Sequence, residues 1–224
     1  MRLGRFGIWG FRIIVLAAAL PVYWPAIPVA WLAADCWTRW RRAGDATPLN
    51  DEAMTDLLNG CGLPGVRLVL SDAKAQGRAN AGCAGPPWNR RIEISPLLLA
   101  RLPEEPRLAV LAHEAGHLRL HHEALWMTGR FFAWLGMFGL MFSHPLLSAA
   151  VAVGVIPLHG WLRQVWEYQA DAYAARHVGA GAMVAALESL SSPAASALPP
   201  PGLWRGLCST HPPLAERLRR LSSL

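Results

Sequence analysis

Two long apolar stretches limit what this chain can fold into. Residues 8–37 are apolar apart from Arg12 and Asp35, and residues 125–162 are strongly apolar with a break at Ser143-His144-Pro145. A helix needs about 20 apolar residues to cross a bilayer. Residues 13–34 meet that length as one span, and Pro21, Pro25 and Pro28 also permit a short hairpin. A signal peptide fits the basic start, but the apolar run is too long and no small-x-small site precedes the next arginines. In the second stretch, residues 131–142 are short for a span and residues 146–162 nearer to one. Together they predict a helical hairpin that dips into or crosses a membrane. The alternative is a core hairpin of a soluble protein.

Composition bears on that choice. Hydrophobic residues make up 53% of the 224 and charged residues 16%, against about 25% charged in an ordinary soluble domain. Eleven tryptophans point the same way, because indole suits the membrane–water interface. The net charge of +6 raises nucleic acid as a partner, but no basic stripe with interleaved aromatics supports it. The arginines instead flank apolar segments: Arg2, Arg5 and Arg12 on one side, Arg39, Arg41 and Arg42 on the other. Basic residues on both flanks fit the N-terminal hairpin, with both ends inside, slightly better than a single span, and both readings stay open. Cys36, Cys61, Cys83 and Cys208 form no C-x-x-C pair, so a cysteine-based metal site is not expected. Cys36 reads as buried in its apolar segment, and the other three as free thiols or one disulfide.

The rest reads as mainly helix with a small sheet. Residues 1–42 form the N-terminal membrane segment and 43–224 the second domain, with 43–50 as linker. A short helix is expected at 51–59 and strands at 66–70, 79–83 and 91–95, the last two joined by a Gly-Pro-Pro-Trp-Asn turn. A short helix at 96–102 ends before Pro103. Pro106 then precedes a helix running from about Arg107 past His122. Further helices are expected at 164–178 and 179–190, a loop at 191–201, and a basic amphipathic helix at 212–224.

The chemistry lies in His113-Glu-Ala-Gly-His117. Histidines four apart on a helix project from one face and can share a tetrahedral zinc ion. Glu114 between them can take a proton from zinc-bound water and pass it to a leaving amine. The alternative is a polar face of satisfied histidines, which His121 and His122 make more plausible; His121 reads as a surface or headgroup-facing residue. A third histidine on the same segment is absent, because Leu120 and Glu123 occupy the positions where that pattern needs Gly and His. The other solution is a Glu on a later helix, and Glu167-Tyr-Gln-Ala-Asp171 supplies one. Glu167 would bind the metal, and Asp171, one turn on, could accept the free N–H of a ligand histidine. Two solvated carboxylates are the alternative. If Glu167 meets the histidines, the apolar hairpin between them must leave and return on one side.

These segments, with Thr210-His-Pro-Pro213 and Arg91-Ile-Glu-Ile-Ser95, resemble the HtpX and CAAX prenyl protease family of membrane-associated gluzincin peptidases over about residues 50–222. The resemblance implies a zincin-like α+β fold, one Zn2+, and His113, His117 and Glu167 as ligands with Glu114 as base. It implies protein or peptide substrates, contact with membrane lipid, and a bacterial inner-membrane location with the catalytic domain facing the cytoplasm. By the same resemblance Asn80 and Ala81 lie on a substrate-binding edge strand. His211 could stabilise an oxyanion, serve as an inhibitory fourth ligand, or be only a turn histidine before Pro212. A catalytically silent membrane scaffold that keeps the fold is the competing function, and the intact Glu114 argues against it.

Overall fold

The computed structural model describes residues 26–44, 47–71, 79–84, 89–191, 209 and 211–224. The choice between one N-terminal span and a hairpin, the Gly-Pro-Pro-Trp turn, most of the 191–201 loop and Cys208 fall outside the described residues. The first described helix, α1 (Ala26–Gly44), carries Pro28 in its first turn, where a missing N–H costs nothing. It runs into the expected linker, and the linker also holds a short strand, β1 (Thr47–Pro48).

Helix α2 (Glu52–Gly60) starts where expected because the Asp51 carboxylate accepts from the N–H of Met54 at 3.0 Å. Strands β2 (Arg67–Leu70), β3 (Ala81–Ala84) and β4 (Arg91–Ile94) follow. The sheet order is β1-β2-β4-β3. β2 and β4 are parallel with Leu68 opposite Ile92, and β3 pairs antiparallel with β4. Among the described residues β3 is therefore an edge. Ser95 caps helix α3 (Pro96–Arg101) through the N–H of Leu98.

Helix α4 (Glu104–Arg119) has Pro103 as its N-cap, and Pro106 sits inside its first turn instead of preceding it. Glu104 and Glu105 complement the positive end of the helix dipole. The helix does not continue past His122. It ends at Arg119, Leu120 caps it, and His121 takes φ 58°, a left-handed C-terminal turn. Helix α5 (His122–Ser143) follows, and after His144 helix α6 runs from Pro145 to Val178. The polar-faced helix expected at 164–178 is thus the continuation of the apolar arm, through Pro157. Helices α7 (Ala180–Leu190) and α8 (Leu214–Leu221) complete the chain.

The described residues fall into two compact units, 26–35 with Trp126–Val155, and Cys36–Leu125 with Ile156–Leu224. In the first, Ser148 donates across the hairpin to the Met137 carbonyl at 2.9 Å, and Trp31 stacks on Trp134. α5 and α6 are long and apolar enough to cross a membrane, with mean hydropathy 1.2 and 1.6 and only 6% of each apolar window buried. Such open apolar faces do not fit the core hairpin of a soluble protein. In the second unit α4 lies against β3 and β4. Leu68, Ile92, Ile94, Leu111 and Met183 form the centre of its core.

Candidate metal centre

Helix α4 presents His113 and His117 one turn apart, with their Nε2 atoms 3.1 Å from each other. Glu167 on α6 meets both: Oε2 is 3.7 Å from His113 Nε2, and Oε1 is 3.6 Å from His117 Nε2. One ligand atom from each of the three lies within 4.8 Å of the others. Donors held 2.0–2.1 Å from a tetrahedral ion stand about 3.3–3.4 Å apart, so the three residues fit zinc in separation and donor type.

The close approach of α4 to α6 depends on Gly116. A Cβ there would lie 3.1 Å from Tyr173 Cβ and 3.2 Å from the Ala170 Cα. Ala170 lies between Glu167 and Asp171, so the absence of that one carbon lets both carboxylates reach α4.

Asp171 Oδ1 is 2.9 Å from His113 Nδ1. An N–H donated there leaves the Nε2 lone pair facing Glu167 and His117. Arg217 of α8 holds the same carboxylate at both oxygens, at 2.7 and 2.6 Å, and its Nη1 is 3.6 Å from Glu167 Oε2. His211 Nδ1 is 3.3 Å from Glu167 Oε2, with its side chain 63% exposed. Burial alone would raise the Glu167 pKa, but the His211 hydrogen bond and the nearby histidines outweigh it and hold the carboxyl down at about 2. Burial, with the neighbouring His113, lowers His117 to about 3, so this ring is neutral and available as a ligand at pH 7.

Glu114 is tied to the sheet. The Cys83 thiol of β3 donates to the Glu114 backbone carbonyl at 3.1 Å and to its Oε2 at 3.3 Å. Burial raises the Glu114 carboxyl above its usual range, which makes it a stronger proton acceptor. Just before β3, Asn80 is spent on internal bonds: its N–H donates to Ser95 Oγ and its carbonyl accepts from the Ser95 N–H, both at 2.9 Å. Antiparallel pairing alternates, so the backbone groups of Ala81 and Cys83 point to the open edge. His121 is exposed. Cys61 and Cys83 are free thiols, and so is Cys36, which is only partly buried.

The sequence model of peptidase family M48 matches residues 51–224. The chain belongs to peptidase family M48. It is 27% identical to the CAAX prenyl protease 1 homolog of Arabidopsis thaliana, over 96% of this chain and 55% of that protein. It is 29% identical to Protease HtpX of Hahella chejuensis, over 65% of this chain and 62% of the relative. The crystal structure of S. mikatae Ste24p superposes with a TM-score of 0.65 at 22% identity, covering 79% of this chain and 51% of that one. The fold is therefore the zincin-like, Ste24p-like one, mainly helical with a small mixed sheet. The chain spans between half and two thirds of the length of these proteins.

Four residues of the site were missed in sequence: Arg217, Cys83, His122 and Gln169. Arg217 carried a faint signal, because it lies beside Leu214, Leu218 and Leu221 of an amphipathic helix and so near its inward face. Cys83 carried one too, in the alternation of its strand. His122 and Gln169 carried none while the helix was read as unbroken.

Proposed function

We propose that this chain is a membrane-associated zinc endopeptidase that cleaves protein or peptide substrates. The observation that carries the reading is the convergence of His113, His117 and Glu167 across the 49 residues between His117 and Glu167. The three side chains would hold one Zn2+, which supplies Lewis-acid polarisation of the scissile carbonyl and of the attacking water. Glu114 takes the proton of that water and delivers it to the amine leaving group. A substrate strand adds to β3 at the backbone groups of Ala81 and Cys83, with Asn80 fixing the start of that edge. His211 sits on the exposed side of Glu167, where its ring can donate to the developing oxyanion. Asp171 positions His113, and Arg217 positions Asp171.

The two long apolar helices support association with a membrane. The arginine flanks support an orientation with the site on the cytoplasmic side, and the likeness to Protease HtpX supports a bacterial inner membrane. Resemblance to HtpX supports a role in membrane-protein quality control.

Zinc analysis and casein cleavage in detergent test the reading with wild type, Glu114→Gln and Glu167→Ala. E114Q is expected to retain zinc and lose activity by about 10²-fold or more, and E167A to lose zinc. Equal cleavage by wild type and E114Q would leave a zinc-holding scaffold instead. Unchanged zinc in E167A would remove Glu167 as a ligand. A reporter fused after Leu224 reads orientation, and a periplasmic signal would overturn the cytoplasmic assignment.

A further inference from the structure

His122 is 4% exposed and lies outside the donor cluster. Its Nδ1 is 2.9 Å from His117 Nδ1, and its Nε2 is 3.0 Å from Gln169 Oε1. Trp166 stacks over the ring at 5.4 Å, with the planes 14° apart. The proton positions follow from one another. His117 faces His113 and Glu167 with Nε2, so a metal ligated there requires the hydrogen on Nδ1. That N–H needs an acceptor, and among the described residues the ring atom facing it is His122 Nδ1. His122 must then carry its own hydrogen on Nε2, and the Gln169 carbonyl oxygen accepts it. Every bond in the sequence is satisfied once in one direction.

We propose that His122 and Gln169 are positioning residues that fix the tautomer and ring orientation of His117 through a neutral relay. The inference rests on the zinc reading above. It makes the two ligand histidines unequal. His113 leans on a carboxylate held by an arginine, and His117 on an imidazole and an amide with no formal charge.

The backbone explains how a residue five positions on can do this. On an unbroken helix, residue i+5 points well away from residue i. The left-handed turn at His121 ends α4 and swings His122 back under His117.

The test separates orientation from packing. In Asn, the side-chain amide places an acceptor oxygen close to where His presents Nδ1. Phe keeps the ring against Trp166 but offers no acceptor. Zinc affinity is measured by chelator competition on the full chain in detergent, with the d–d absorption of the Co2+-loaded protein as a second readout. His122→Phe and Gln169→Leu are expected to bind zinc about 10–100-fold more weakly and to shift the cobalt bands. His122→Asn and Gln169→Glu are expected to stay close to wild type. Full affinity in H122F with loss in H122N would overturn the relay and assign His122 to packing. Wild-type affinity in both H122F and Q169L would overturn it too, while loss of zinc in His113→Ala would leave the metal site itself intact as a reading. Absence of zinc affinity in wild type would overturn both.

Discussion

Gly116→Ala adds one carbon at the point where α4 and α6 are closest. The new Cβ would lie 3.1 Å from Tyr173 Cβ, 3.2 Å from Tyr173 Cγ and 3.2 Å from Ala170 Cα. Carbon atoms settle at about 3.5–4.0 Å, so the helices must part by roughly 0.3–0.5 Å or Tyr173 must leave its place. A Cα is backbone and cannot swing aside, and Tyr173 is held by its hydroxyl donating to the Cys61 carbonyl at 3.0 Å. Two effects on stability oppose each other. Alanine is favoured over glycine in a helix by about 1 kcal/mol, and overpacking costs about 1–3 kcal/mol. The net loss of fold stability is therefore small, about 1 kcal/mol.

The metal site has no compensating gain. Ligand distances tolerate about 0.2 Å, and Ala170 sits in the same turn as Glu167. G116A is expected to unfold within a few degrees of wild type in its metal-free form, yet to bind zinc at least about tenfold more weakly. Thermal melts of the chelated protein and chelator competition measure the two quantities. Zinc affinity equal to wild type would show that the crossing at Gly116 does not set the position of Glu167.

Other substitutions probe the elements around the site. Arg217→Met strips both bonds from a carboxylate whose side chain is 4% exposed, and is expected to cost about 3 kcal/mol in a urea titration. Burial raises the Asp171 pKa, but the bonds from Arg217 and His113 prevail and lower it. This contribution is therefore present above about pH 4 and lost as pH falls through the folded value, so R217M should flatten the acid limb of the stability profile. Burial, followed by the charge of Glu114, raises the Cys83 thiol well above its usual range. Iodoacetamide at pH 8 should spare Cys83 in the native protein and label it in urea; native labelling seen by peptide mass spectrometry would contradict the Glu114 contact. His121→Gly should be tolerated at φ 58°, whereas His121→Val should lose stability by about 1 kcal/mol or more. Equal melting temperatures would show that the left-handed turn is not required.

The pair His113 and His117 was legible because a four-residue spacing fixes one face whatever surrounds it. Glu167 and Asp171 were legible for the same reason, and the need for a third donor singled them out. Long-range partners were less visible. Arg217 lies 46 residues beyond Asp171, and nothing in an arginine-rich helix says which guanidinium turns inward. His122 was obscured by a boundary, since a left-handed histidine leaves no mark in the sequence. The strand Thr47–Pro48 was too short for any alternation to show. Continuity of α6 through Pro157 was likewise hidden, because proline normally argues for an end.

Arg217 has a consequence for biosynthesis. It is the one described cation bonded to Asp171, and it also lies near Glu167, but it is made 46 residues after Asp171. Until α8 docks through Leu221 onto the core, two acidic groups one turn apart on α6 have no arginine between them and no fixed partner for His113. The nascent chain thus completes both apolar helices before Asp171 and Glu167 gain their arginine. If these residues form the proposed zinc site, its completion waits for α8 to dock.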